Sequence, residues 1–472
     1  MENEKKLVRN SLYNVAYRCL SIIFPLVSSI YVARILTPVN LGKVSAAQNI
    51  VSYFLICSAM GIPTYGVKLV AQYKPKTSAS SRAFSELWII NFVLSLVSSI
   101  IYYVLVLTFP YFQENRLLYI ITGLSLICNI ANVDWFYQGI QEYRYIAVRS
   151  VVIKILSFVS LFVFVRDKGD YLVYALLNVL GTAGNYIFNI VRLRKYVSFQ
   201  RHNLAFGNHI SHMLVLFGAA LASEIYTLTD TTMLNFMCGS ETVGYYSMSL
   251  NIIRVLRGMV VAVSAVFLPQ LSYYYFSGEK ERFYRLANDG LHVLVYLTIP
   301  LAVGLVIVSE DLIICFFGEA YREAVGSTRI LAVSIISIAL SNFVGLQLLL
   351  TLGKEKITTL STIFGAVVNI TLNIFLIIRF QHIGASIASA VTELCVTAFQ
   401  VFFCFRYIKI RLNIFPVLIA SALMLPAVLL IHQLQIMLFI KLMLETVVGS
   451  AVYFITTMLL RDEFVMKMKR MI

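Results

Sequence analysis

Apolar runs of about twenty residues, the length a helix needs to cross a bilayer, recur along the whole of this 472-residue chain. On that rule about fourteen spans are expected. They cover residues 10–33, 44–69, 83–109, 117–138, 148–165, 171–191, 211–236, 243–267, 286–308, 327–350, 357–378, 383–405, 414–431 and 437–460. Weak loops between the last two leave twelve as an alternative. With 59% apolar and 13% charged residues, no segment reads as a soluble domain. The expected fold class is an all-α polytopic membrane protein.

The net charge of +15 lies mostly in short loops between apolar runs, where lysine and arginine hold cytoplasmic loops in place. Nucleic acid is therefore not an expected partner. The amino terminus, the even-numbered loops and the carboxyl terminus carry about 25 basic residues, against about nine on the other side. That places both termini in the cytoplasm. The first apolar run follows Lys5, Lys6 and Arg9 and lacks a small-residue cleavage site, so it reads as a retained span.

The seven cysteines lie in or beside apolar runs without a CxxC pattern, which suits core filling. His202, His209 and His212 cluster without an HExxH or a carboxylate partner. No metal and no cofactor are expected.

A polar ladder appears twice. Gly42, Ser45 and Asn49 are repeated as Gly244, Ser247 and Asn251; Ser52 and Arg254 follow three residues on, and Leu69/Tyr73 and Leu271/Tyr275 keep the register. Positions four and three apart share one face of a helix, so each span turns a hydrophilic stripe the same way. A duplicated membrane protein of this kind suits a transporter with a midplane site, and the arginine of the second copy points to an anionic cargo. The expected division is a six-helix lobe at 1–191, a cytoplasmic connection at 192–210, a second six-helix lobe at 211–405, and two additional helices with a tail at 406–472.

The cations inside spans are Arg18, Lys154, Arg254 and Arg257; the clear acids are Glu224, Asp230, Glu393 and Glu445, with Asp134 and Asp289 nearer the ends. A charge at bilayer centre costs about 2.5–3.5 kcal/mol on insertion scales, and such residues usually line a pathway. Asn14 joins Arg18 on span one, and Ser223, Thr227 and Asp230 share span seven. Mutual neutralisation is the alternative: Arg254 or Arg257 with Glu224 or Asp230, and Lys154 with Asp134. Spans three, nine, ten and thirteen, largely apolar, are expected to face lipid or pack the outside. Pro25 and Pro63 should bend spans one and two.

Two stretches carry a family resemblance. Arg34-Ile35-Leu36-Thr37-Pro38 through Gly42 and Asn49 resembles the connection between spans one and two of Wzx-type polysaccharide flippases. Asp134-Trp135-Phe136-Tyr137-Gln138-Gly139, followed by Tyr143, Tyr145-Ile146-Ala147 and Arg149-Ser150, resembles their loop after span four. Asp230, Gly239 and Val243-Gly244-Tyr245 are similar to their span seven–eight junction. The resemblance implies the multidrug/oligosaccharidyl-lipid/polysaccharide exporter superfamily: two six-helix lobes forming a V, often with two further helices, in a bacterial inner membrane. The implied cargo is an undecaprenyl-pyrophosphate-linked oligosaccharide moved to the outer leaflet by alternating access. Membrane lipid is the implied surrounding partner, and a polysaccharide polymerase an implied neighbour. Substrate contacts are expected at Arg18, Arg254, Arg257, Asn14, Asn49, Asn251 and Lys154, and H+ or Na+ coupling at Asp230 or Glu224. A multidrug exporter or lipid II-type flippase of the same superfamily is the alternative, and a membrane glycosyltransferase or polymerase a more distant one. The absence of GxxxxGK[ST] gives no sign of a built-in ATPase, and no enzymatic activity is expected.

Overall fold

The computed structural model describes residues 24–73, 77–200, 204–408, 412–462 and 464–466, with the side chains of 219, 222, 223 and 226 excepted. Asn14 and Arg18 lie outside the described residues, as does the side chain of Ser223. The chain forms two compact units, Met1–Leu228 and Thr229–Ile472.

In the first unit, helix α1 (Phe24–Ile35) leads into α2 (Pro38–Ala59), which starts where Thr37 accepts a hydrogen bond from the Asn40 amide and Pro38 occupies the first turn. Both residues suit a helix start, because the first amides lack intrahelical acceptors. Span two then breaks at Met60 (φ 40°) and Gly61 (φ 79°) before resuming as α3 (Ile62–Val70). The bend expected from Pro63 is therefore present, a few residues earlier. A Cβ at Gly61 would lie 2.8 Å from the Met213 carbonyl oxygen, so both the left-handed backbone and the close approach of a neighbouring helix favour glycine there.

Helix α4 (Ser78–Thr108) packs on α2 and on α5 (Arg116–Asn129), and α8 (Tyr171–Leu193) closes the same cluster. Val44, Ala47, Val51, Tyr102, Leu118 and Leu126 form its centre, and the Tyr102 hydroxyl donates to the Tyr119 carbonyl at 2.8 Å. Span four is shorter than the expected 117–138. Its helix stops at Asn129, and a separate short helix, α6 (Asp134–Gly139), follows.

That short helix holds most of the family motif, and its role is packing. Trp135, Phe136 and Tyr137 are all buried beside Phe84 and Ile146. Arg149, on α7 (Tyr143–Phe164), is 5% exposed; it pairs with Asp134 at 3.0 Å and donates to Asn185 and Asn189 of α8. Asp134 thus pairs with Arg149, not with Lys154. The connection after α8 is pinned along α4. The amides of Ser198, Gln200 and Ala205 donate to Ser81, Ser85 and Glu86, and His209 meets Glu86 at 2.8 Å.

Helix α9 (Gly207–Cys238) runs through the boundary between the units and is followed by α10 (Ser240–Ala265) and α11 (Leu268–Phe276). Span eight is therefore broken much as span two is, here just before Pro269. Helices α12 (Lys280–Phe317) and α13 (Ala324–Asn342) form the centre of the second unit, with 56% of each apolar window buried against 22% in span two. Spans nine and ten were expected on the outside; apolarity on every face is equally what an internal helix needs, and α13 packs on α10 as well as α12. Helix α12 runs to Phe317, nine residues beyond the expected end of span nine at 308.

A π-helix, Phe343–Leu349, continues α13. Helix α14 (Glu355–Cys404) is two spans divided at Gln381 (φ 51°), where the spacing predicts a break. At Gly384 a Cβ would lie 2.1 Å from the Leu376 carbonyl oxygen, so the turn closes only around a residue without one. Helices α15 (Phe415–His432) and α16 (Leu438–Leu459) pack on α12 through Val295, Tyr296, Val417, Met424 and Tyr453. His292 meets both oxygens of Asp462 at 3.1 Å. Counting spans two and eight once each and α14 twice, the described helices give about fourteen spans, as expected.

Candidate functional site

The second polar ladder lies on α10. Val243, Tyr246, Ile253 and Val260 are buried, whereas Ser247 and Asn251 are half-buried and Arg254 and Arg257 exposed. Arg254 stands roughly 20 Å from the first residue of α10, at mid-helix. Its Nη1 donates to Asn251 Oδ1 at 3.1 Å. Among the described residues, no carboxylate lies within ion-pair distance of Arg254 or Arg257. The neutralisation considered for them does not occur there.

The first ladder is spent differently. Asn49 is 8% exposed and donates to the Leu228 carbonyl at 3.0 Å, while Ser52 bonds back to Gln48 of its own helix. Lys154 sits on the face of α7 that meets α1, its Nζ 6.0 Å from the Phe24 ring. Phe158 and Phe162 on that face contact Phe24 and Tyr31.

Asp230, on α9, is 5% exposed and among the described residues is held by neutral groups only. Asn369 and Asn373 donate to Oδ1 at 3.0 and 2.6 Å, and Tyr246 donates to Oδ2 at 2.5 Å together with Ser389. The Asn373 amide also donates to Asn369 Oδ1 at 3.0 Å, yet among the described residues its own Oδ1 is buried without a partner. Glu224, by contrast, is exposed, with only Thr227 on its carboxylate among the described residues. Tyr246, Asn369, Asn373 and Ser389 escaped the sequence reading. The signal for two of them was there: Asn369 and Asn373 are four apart, hence on one helix face, in an otherwise apolar span.

The fold is that of the solved multi-pass flippases and multidrug transporters. It superposes on a lipid II flippase, MurJ, in an inward closed conformation with a TM-score of 0.79 at 15% identity, covering 97% of this chain and all of that one. An inward-facing multidrug resistance transporter of the MATE family matches with a TM-score of 0.62 at 14% identity, over 83% of this chain and 98% of that one. Residues 7–274, more than half of the chain, match the family described as polysaccharide biosynthesis protein, and the chain belongs to it. A protein of Escherichia coli (strain K12), provisionally named an O-antigen transporter, is 23% identical over 418 residues, 85% of this chain and 97% of the relative.

Proposed function

We propose that this protein is a flippase for a polyprenyl-pyrophosphate-linked oligosaccharide, carrying the head group from the cytoplasmic to the outer leaflet. The observation that carries the reading is the pair Arg254 and Arg257, exposed within a spanning helix and without carboxylate partners among the described residues. A guanidinium binds phosphate oxygens through a planar fork, more strongly in low dielectric than in water. Asn251 orients Arg254 for that contact. Arg18, Asn14 and Lys154 are assigned the corresponding role on the first unit, and Asn49 that of anchoring α2 beside it. The family match and the O-antigen relative support a glycan-lipid cargo over a cationic drug, for which carboxylates would be the fitting lining.

Asp230 is the assigned coupling group. Four neutral donors converge on it, and rotating the Asn373 amide would offer a cation two amide oxygens, two hydroxyls and a carboxylate. That is a set of hard oxygen ligands. An inside-negative potential favours outward movement of an anion by about 2.3 kcal/mol per charge per 100 mV, so the coupled ion serves the return step. Both termini are assigned to the cytoplasm on the loop charges.

The test uses proteoliposomes with a polyprenyl-pyrophosphate oligosaccharide and an impermeant sugar-cleaving enzyme outside. Protein-dependent exposure of the sugar, lost in Arg254→Ala, is expected. Equal exposure in both proteins would refute the arginine assignment, and uptake of organic cations instead would move the chain to drug export.

A further inference from the structure

We propose that Asp311, His432 and Glu445 form a Zn2+ site that joins α12 to the C-terminal helix pair. The three residues come from α12, the last turn of α15 and the second turn of α16. Asp311 is 6% exposed and Glu445 1%. His432 Nδ1 lies 2.9 Å from Glu445 Oε1 and 3.1 Å from Asp311 Oδ2. The three ligand atoms fall within 4.8 Å of one another. Tetrahedral Zn2+ with nitrogen and oxygen ligands at about 2.0–2.2 Å separates those ligands by about 3.3 Å, so the side chains are already close to the required spacing.

A second observation separates this group from a routine acidic cluster. Among the described residues Glu445 Oε2 is buried with no hydrogen-bond partner, although a lone carboxylate oxygen away from water is costly. Lys441 Nζ lies 2.7 Å from Asp311 Oδ2. One ammonium offsets one of two buried carboxylates; a divalent ion offsets both. Lys441 thus holds the metal-free state together and leaves when the metal enters. The imidazole and the small ligand number favour Zn2+ over Mg2+ or Ca2+, which take six or more oxygens. Asp311 lies roughly 28 Å along α12 from His292, whose pairing with Asp462 fastens the other end of α12 to the segment that follows α16.

The test is Zn2+ uptake by the purified full chain in detergent after chelator treatment, read by equilibrium dialysis and metal analysis, with thermal unfolding followed alongside. One Zn2+ per chain is expected in excess of that held by His432→Ala. His432→Ala and Glu445→Gln should bind at least tenfold more weakly, and Zn2+ should raise the unfolding midpoint of the unaltered chain and of Lys441→Gln but not that of His432→Ala. Lys441→Gln should bind more tightly, a gain that misfolding cannot produce. Equal uptake by the unaltered chain and His432→Ala, or weaker binding in Lys441→Gln, would overturn the site.

Discussion

Two arginines in apolar helices show opposite uses of the same side chain. Arg149 is buried and its guanidinium is filled by Asp134, Asn185 and Asn189. Arg254 is exposed on α10 and has one amide oxygen from its own helix. A guanidinium has five N–H donors; the first has spent them on folding, and among the described residues the second has one acceptor. The carboxylates divide in the same way. Asp134 has a cationic partner, whereas Asp230 is ringed by neutral donors. A charge in a span thus reveals its task less by its depth than by whether its partners are already present.

This contrast can be broken experimentally. The largest effect is expected for Arg149→Ala, which strands Asp134 and should cost about 3–5 kcal/mol of stability, read as lost abundance and a lower unfolding midpoint. Near-normal stability would remove Arg149 from the structural side. Arg254→Ala combined with Arg257→Ala should leave abundance unchanged while translocation falls about 100- to 10,000-fold. The basis is a loss of about 1.5–3 kcal/mol per charge-assisted contact at about 1.4 kcal/mol per tenfold. A stability defect with normal turnover per folded molecule would reverse the assignment. Asp230→Asn keeps the shape and removes the charge, so translocation should fall about tenfold and stop responding to an imposed Na+ or H+ gradient. Retained gradient dependence would move coupling elsewhere, with Glu224 next in line. The smallest change is expected for Asn49→Ala, about 0.5–1.5 kcal/mol of stability with turnover per folded molecule unaltered. A turnover defect without a stability loss would put Asn49 on the cargo side with Arg254.

The same distinction explains how far the chain was legible beforehand. Span number and most boundaries follow from apolar length alone, and residues 414–431 and 437–460 predict α15 and α16 to within a residue. Helix burial did not follow, because an apolar face looks alike against lipid and against protein; α12 and α13 lie inside for that reason. On α10 the ladder residues Ser247, Asn251 and Arg254 are less buried than Val243, Tyr246 and Ile253. The ladder register could not show that Asn49 is occupied by the Leu228 carbonyl, a partner 179 residues away. The same holds for Asp230, whose ligating neighbours lie on α10 and both halves of α14, and for Asp311, His432 and Glu445. Motif reading located Asp134 through Gly139 as special but carried no hint that the specialisation is packing.

The fastening of α15 and α16 has a consequence for how the chain could be shortened. Ending it at residue 405 would keep every helix of the twelve-span plan. It would also uncover Val295, Tyr296 and Ile299, leave His292 without Asp462, and leave Asp311 without Lys441 and His432. An apolar stripe facing lipid is harmless, whereas an unpaired buried carboxylate is not. The last two helices are thus integral to the second unit, since α12 carries side chains whose partners lie on or just after them.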